Sequence, residues 1–165
     1  HAVVAGPPRC GVSTTLRSVV AAHPHGQLLV RPAPDELGAA VATAVDAAGA
    51  GRPSLVAVDD VPDLLDGPDA ERVAALFGDL VRAGRDHPVR LVLGGGVDAM
   101  ARCYHEVVAT VRRGRTGVLL GGDPELHGVL LHASLQQRSD LPPAQGRGWV
   151  LGPGTARRVQ VAVAD

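Results

Sequence analysis

The sequence contains no lysine, no isoleucine and no asparagine, and all sixteen of its basic residues are arginine. The first absence excludes any site in which a lysine ammonium grips a phosphate. The three missing residues share AT-rich codons, so the composition leads us to expect a GC-rich, actinobacterial source. Aromatic residues make up only 2% of the 165 positions. A core must then be assembled from Leu, Val and Ala, a palette that suits buried parallel strands covered by helices. No apolar run reaches the roughly 18 residues of a membrane span, which predicts no membrane contact by this stretch. The net charge of −1 gives no global attraction to nucleic acid. Cys10 and Cys103 lie far apart without metal-ligand spacing, as expected of free thiols in a reducing cytoplasm. The seven histidines show no H-x-x-x-H or His/Cys metal spacing either. The chain opens at His1 with neither an initiator methionine nor a leader pattern, so we expect a piece of a longer protein. Its length fits one domain spanning 1–165.

What is present alternates in period. Ala2 to Ala5 is an apolar run ending at Gly6, followed by a Gly/Pro-rich turn and a helix from Ser13 to His23. Leu28 to Val30 reads as a strand, Asp35 to Ala48 as a helix, and Leu55 to Val58 as a strand closed by Asp59-Asp60. Asp66-Gly67-Pro68 predicts the opening of a long helix whose buried stripe is Val73, Leu76, Phe77, Leu80 and Val81. Val89 to Leu93 is a strand stopping in Gly94-Gly95-Gly96, read as a turn. Asp98 is expected to cap one helix carrying Met100, Tyr104, Val107, Val108 and Val111. Gly117 to Leu120 is a fifth strand, and Leu126 to Leu131 is either a helical turn or a short strand. Gly148 to Leu151 and Val159 to Val163 predict a closing hairpin. Strands alternating with helices imply right-handed crossovers and a mainly parallel sheet with helices on both faces.

Two segments carry chemistry. Gly6-Pro7-Pro8-Arg9-Cys10-Gly11-Val12-Ser13-Thr14 joins the first strand to the first helix in the G-x-x-x-x-G-x-S/T frame of a phosphate-binding loop. Such a frame lets backbone amides curl around a phosphate at a helix amino terminus. Its Ser hydroxyl ligates Mg²⁺, and the residue before it is normally the lysine that reaches the terminal phosphates. Here that residue is Val12, which has neither charge nor donor. Arg9 is the candidate substitute cation. The second segment, Leu55-Val56-Ala57-Val58-Asp59-Asp60, is a buried strand delivering two carboxylates at its carboxyl end. In an active site the first holds Mg²⁺ and the second polarises the attacking water. Asp59 and Ser13 are therefore the candidate metal ligands and Asp60 the candidate base. In a degenerate site Asp59 accepts a bond from Ser13 and Asp60 caps the following turn.

With both motifs placed, the chain resembles the FtsK/SpoIIIE family of motor ATPases, and within it the last ATPase module of EccC-type type VII secretion motors. V-V-A-G-P-P-R-C-G-V-S-T-T-L, L-V-A-V-D-D, L-V-R-A-G-R-D-H, R-L-V-L-G-G-G-V-D-A-M-A-R, R-R-G-R-T-G-V-L-L and L-P-P-A-Q-G-R-G-W-V carry the likeness. It implies a RecA-like P-loop three-layer α/β sandwich with a closing hairpin, using ATP and Mg²⁺. It also implies a hexamer of neighbouring modules in a membrane-anchored bacterial protein, with this module on the cytoplasmic side. In the secretion branch, terminal modules with degenerate sites dock the tails of small helical-hairpin substrates; in the DNA branch, modules pump duplex DNA. Val12 departs from the active pattern and leads us to expect weak or no hydrolysis. The alternatives are an ATP-binding module of an FtsK-like DNA translocase and a nucleotide-binding regulator without turnover.

Gly94-Gly95-Gly96 offers no polar sensor side chain where the family places one. Arg112-Arg113-Gly114-Arg115 is either a solvated basic run or a partner-facing one. Trp149, the single tryptophan, is expected to pack in the core.

Overall fold

A computed structural model describes residues 1–121, 123–135 and 144–161. In chain order the elements are β1 (Ala2–Gly6), α1 (Val12–Ala21), β2 (Gly26–Val30), α2 (Pro34–Gly49), β3 (Ser54–Asp59), α3 (Val61–Leu65) and α4 (Ala70–Ala83). They continue with β4 (Val89–Gly96), α5 (Val97–Arg102), α6 (Glu106–Arg113), β5 (Gly117–Leu120), α7 (Pro124–Gly128), a 3₁₀ turn (Val129–Leu131), β6 (Arg147–Gly152) and β7 (Thr155–Gln160). The strands form one sheet in the order β2-β3-β4-β1-β5-β6-β7. The first five are mutually parallel, and β6 and β7 continue the sheet antiparallel. This is the three-layer, mainly parallel sheet with a closing hairpin that the sequence predicts.

The period of two along each strand divides the core into two layers. Val3, Ala5, Val56, Val58, Leu91 and Leu93 face α2, α4, α5 and α6, whose Leu37, Phe77, Met100 and Val108 are fully buried. Val4, Leu55, Ala57 and Val92 face the opposite way, where Leu16 of α1 covers them. The unequal layers leave α1 as the main helical cover on the second face, so its amino terminus must stand beside the carboxyl ends of β1, β3 and β4.

Several expectations are corrected. Gly94-Gly95-Gly96 is not a turn: the three glycines are the last residues of β4, paired with Val4, Ala5 and Gly6. Gly94 and Gly95 are small because other elements press on them. A Cβ on Gly94 would stand 2.5 Å from Leu16 Cδ1, and one on Gly95 would stand 2.8 Å from Pro62 Cδ. Asp66-Gly67-Pro68 does not open the long helix. A short helix, α3, ends there, with the Asp66 amide donating to Pro62 O at 3.0 Å, and α4 begins at Ala70 instead. Asp98 caps no single long helix. It lies inside the first turn of α5, and extended backbone at Cys103 and His105 separates α5 from α6. Tyr104 falls in that break and is 86% exposed, off the buried stripe. The segment 126–131 is helical, and the second hairpin strand begins at Thr155, earlier than expected, because Pro153-Gly154 makes the turn, with Gly154 at φ 74°. The far end of that expectation, at Val163, lies outside the described residues, as does Leu141-Pro142-Pro143.

Candidate phosphate-loop site

Ligand crevices in sheets of this kind lie at the carboxyl ends of the strands, where the winding order reverses. Here that place is the end of β1, flanked by β4 and β5. Gly6 closes β1 at this point because a Cβ would collide with Cys10 Sγ and approach Leu120 O at 2.6 Å. The Cys10 side chain thus folds back against the strand, and burial pushes its thiol above the usual range. Arg9 (φ 62°) and Gly11 (φ 105°) both take left-handed backbone, Gly11 as the N-cap of α1. The helical ladder begins with the Thr15 amide donating to Gly11 O at 2.8 Å. The amides of Val12, Ser13 and Thr14 precede that ladder, as the first amides of any helix do.

The loop is braced from outside in a way the sequence reading missed. The Cys10 carbonyl accepts the Gly146 amide at 2.8 Å, and the Gly146 carbonyl accepts the Val161 amide at 2.8 Å. The lead-in to β6 and the exit from β7 therefore meet over the loop. Val12, Cys10 and Val161 pack on the same apolar cluster, centred on Leu16, Val4 and Leu120. Val12, expected at the lysine position, is here part of this apolar packing. Arg9, the candidate replacement cation, is exposed.

The acidic pair is split in role. Asp59, the last residue of β3, is 3% exposed, and its Oδ1 accepts the Asp60 amide at 3.0 Å. A Cβ on Gly94 would meet both Leu16 Cδ1 and Asp59 Oδ1 (3.0 Å), so the buried carboxylate and helix α1 converge over β4. Among the described residues no hydrogen bond joins Ser13 to Asp59, contrary to the expectation for a degenerate site. Asp60 leaves the strand in left-handed backbone (φ 55°) as the N-cap of α3, but its side chain makes no capping bond. Its Oδ2 accepts Arg31 Nε at 2.8 Å, and Arg31 Nη2 reaches Asp63 Oδ2 at 2.8 Å. The hydrogen bond to Asp60, followed by the charges of Asp60 and Asp63, holds the Arg31 guanidinium above its usual range. These side chains are solvent-exposed, so the triad orients the carboxylate more than it stabilises the fold. Sequence spacing gives no hint of it, because Arg31 and Asp60 meet only through the parallel pairing of β2 with β3, in which Val30 lies beside Asp59.

The residues match the outline of a triphosphate–Mg²⁺ cradle but not its charge balance. The glycine-framed loop, the Ser13 hydroxyl and the buried Asp59 are in place, whereas the loop cation is an apolar Val12 and Asp60 already holds a guanidinium. Arg112, from the basic run, is structural: its Nε donates to Leu130 O at 3.0 Å and ties α6 to the 3₁₀ turn. Trp149 is half-buried, with the Arg158 guanidinium 4.9 Å above its ring.

No protein-family model matches the sequence, and no curated protein matches it. Solved structures do. The cytoplasmic domain of the Thermomonospora curvata type VII secretion ATPase EccC aligns with all of this chain at 16% identity and a TM-score of 0.66. ATPases 2 and 3 of the same EccC, in complex with a signal sequence peptide, align at 17% identity and 0.68. ATPases 2 and 3 of EssC from Geobacillus thermodenitrificans align at 15% identity and 0.70. The chain spans 24% of the first and 37% of each of the other two. At such identities the likeness establishes a shared fold: the chain has the architecture of one ATPase module of these proteins.

Proposed function

We propose that the chain is one degenerate ATPase module, residues 1–165, of an EccC-like type VII secretion motor. In this reading it binds substrate tails or regulates neighbouring modules, with weak or no ATP hydrolysis of its own. The observation that carries the reading is the packing of Val12 into the apolar cluster of α1, in a loop otherwise framed to cradle phosphate. Charge neutralisation supplies most of the catalysis in phosphoryl transfer. A cradle without its cation keeps its shape and loses that power. Gly6 to Thr14 would border any nucleotide, Ser13 and Asp59 would hold any Mg²⁺, and Asp60 sits in the position of the base.

The fold shared with EccC ATPases 2 and 3, solved in complex with a signal sequence peptide, supports the tail-binding half of the proposal. In this reading the module sits among similar modules of a hexameric, membrane-anchored protein, on its cytoplasmic side. Calorimetry tests both halves. Titration with Mg-ATP is expected to give weak or no heat and no phosphate release. Titration with carboxyl-terminal tails of helical-hairpin secretion substrates is expected to give saturable binding. Turnover that disappears in Asp60→Ala would overturn the degenerate reading, and salt-sensitive duplex DNA binding would favour a translocase instead.

A further inference from the structure

The last strand of the sheet has a free side. β7 pairs with β6 alone, and among the described residues nothing pairs with its outer edge. Which backbone groups face outward follows from two bonds. Gly121 N–H donates to Arg147 O, so Arg147, Trp149 and Leu151 of β6 turn their backbone toward β5. Val161 N–H donates to Gly146 O, so the even-numbered residues of β6 turn toward β7. In an antiparallel ladder these orientations alternate. The residues bonded to β6 are then Thr155, Arg157 and Val159, and the amides and carbonyls of Ala156, Arg158 and Gln160 point away from the sheet.

The chemistry of this edge is basic on both faces. Arg157 lies opposite Val150, whose side chain is 42% exposed, and Arg158 lies opposite Trp149 and stacks on it. An exposed edge is a template for another strand unless the sequence blunts it. β7 has no proline and no bulge; its blunting is charge. That charge selects among occupants. Antiparallel pairing of two copies of β7 centred on the arginines would set Arg158 opposite Arg158 or Arg157 opposite Arg157, and like charges facing each other across strands destabilise the pairing. An acidic strand meets the opposite situation.

We infer that the β7 edge is a docking site for an extended acidic segment of a protein partner. The segment adds to the sheet as an eighth strand through the backbone of Ala156, Arg158 and Gln160, with carboxylates on its two faces meeting Arg157 and Arg158. The docking edge uses none of the phosphate-loop residues, although its carboxyl end at Gln160 adjoins Val161 and the brace through Gly146 to Cys10.

The chain carries its own reporter, because Trp149 lies directly under Arg158. The probe is the peptide acetyl-Thr-Val-Asp-Glu-Val-Thr-amide, which matches β7 in length. Titrated into the full chain at low salt, it is expected to shift Trp149 emission saturably and to bind less well as salt rises. R157E/R158E is expected to lose the response. Ala156→Pro removes one outward amide without touching the β6 ladder, a place where an edge strand tolerates proline. It is expected to weaken binding by about tenfold while leaving the emission of the free chain unchanged. The same peptide N-methylated at alternate residues keeps its charge and is expected not to bind, which guards against misfolding of the proline variant. Binding that survives both N-methylation and Ala156→Pro would refute strand addition. Absence of any response to the unmethylated peptide, or concentration-dependent self-association of the chain with β7 at the contact, would equally overturn the inference.

Discussion

Replacing Val12 by lysine isolates the charge argument from the shape argument. Val12 is half-buried on the cluster of Leu16, Val4 and Leu120. Each buried methylene is worth about 0.8 kcal/mol, and a lysine stem can lie over the same apolar surface with its ammonium in water. The substitution is therefore expected to cost about 1 kcal/mol of stability or less. The gain appears only with ligand. A charge-assisted hydrogen bond to a phosphate contributes about 1.5–3 kcal/mol, which corresponds to about 10- to 150-fold in affinity. Calorimetry of Val12→Lys against the parent chain, with Mg-ATP and with a non-hydrolysable analogue, reads that ratio directly. Thermal unfolding in parallel confirms that the loop still folds. Hydrolysis is expected to stay low even in the variant, because Arg31 still holds Asp60. A folded Val12→Lys chain that binds no better than the parent would refute the reasoning: the loop would then be closed by its brace to Gly146, not emptied of charge.

The remaining predictions concern packing and the thiols. Gly94→Ala places a methyl 2.5 Å from Leu16 Cδ1 and 3.0 Å from Asp59 Oδ1, beside Val58 O. Overpacking of this kind costs about 1–3 kcal/mol, so a clear fall in Tm is expected, and an unchanged Tm would contradict the close approach of α1 to β4. Leu16→Ala empties the centre of the smaller core layer and is expected to cost about 2–5 kcal/mol in denaturant unfolding. Burial raises both thiols, Cys10 and Cys103. Their alkylation by iodoacetamide at neutral pH is expected to lag behind that of an unfolded control. The sign for stability is that of an acid whose folded value lies above its unfolded one: the contribution is full below the unfolded value and fades as pH rises through the folded one. Equal alkylation rates in folded and unfolded chains would contradict it.

Much of the fold was legible because it rests on local patterns. The alternation of apolar runs with amphipathic stretches gives β1, α2, β3, β5 and the stripe of α4, and Gly6 to Thr14 and Asp59-Asp60 stand out as motifs without any structure. The readings that failed did so where a distant segment overrides local preference. Gly94-Gly95-Gly96 resembles a turn until Leu16 and Pro62 press on it from other elements, and Asp66 resembles a cap until α3 claims it. The composition alone determined that no lysine of this chain reaches a phosphate, since that statement needs only the absence of a residue. Whether something else fills the place is a question of position. Only the tertiary structure decided that Val12 joins the α1 cluster, that Arg31 takes Asp60, that Gly146 braces Cys10, and that β7 ends the sheet with an edge unpaired among the described residues. Each of these is a contact between residues far apart in the chain, set by strand order and register, and sequence spacing does not encode such contacts directly.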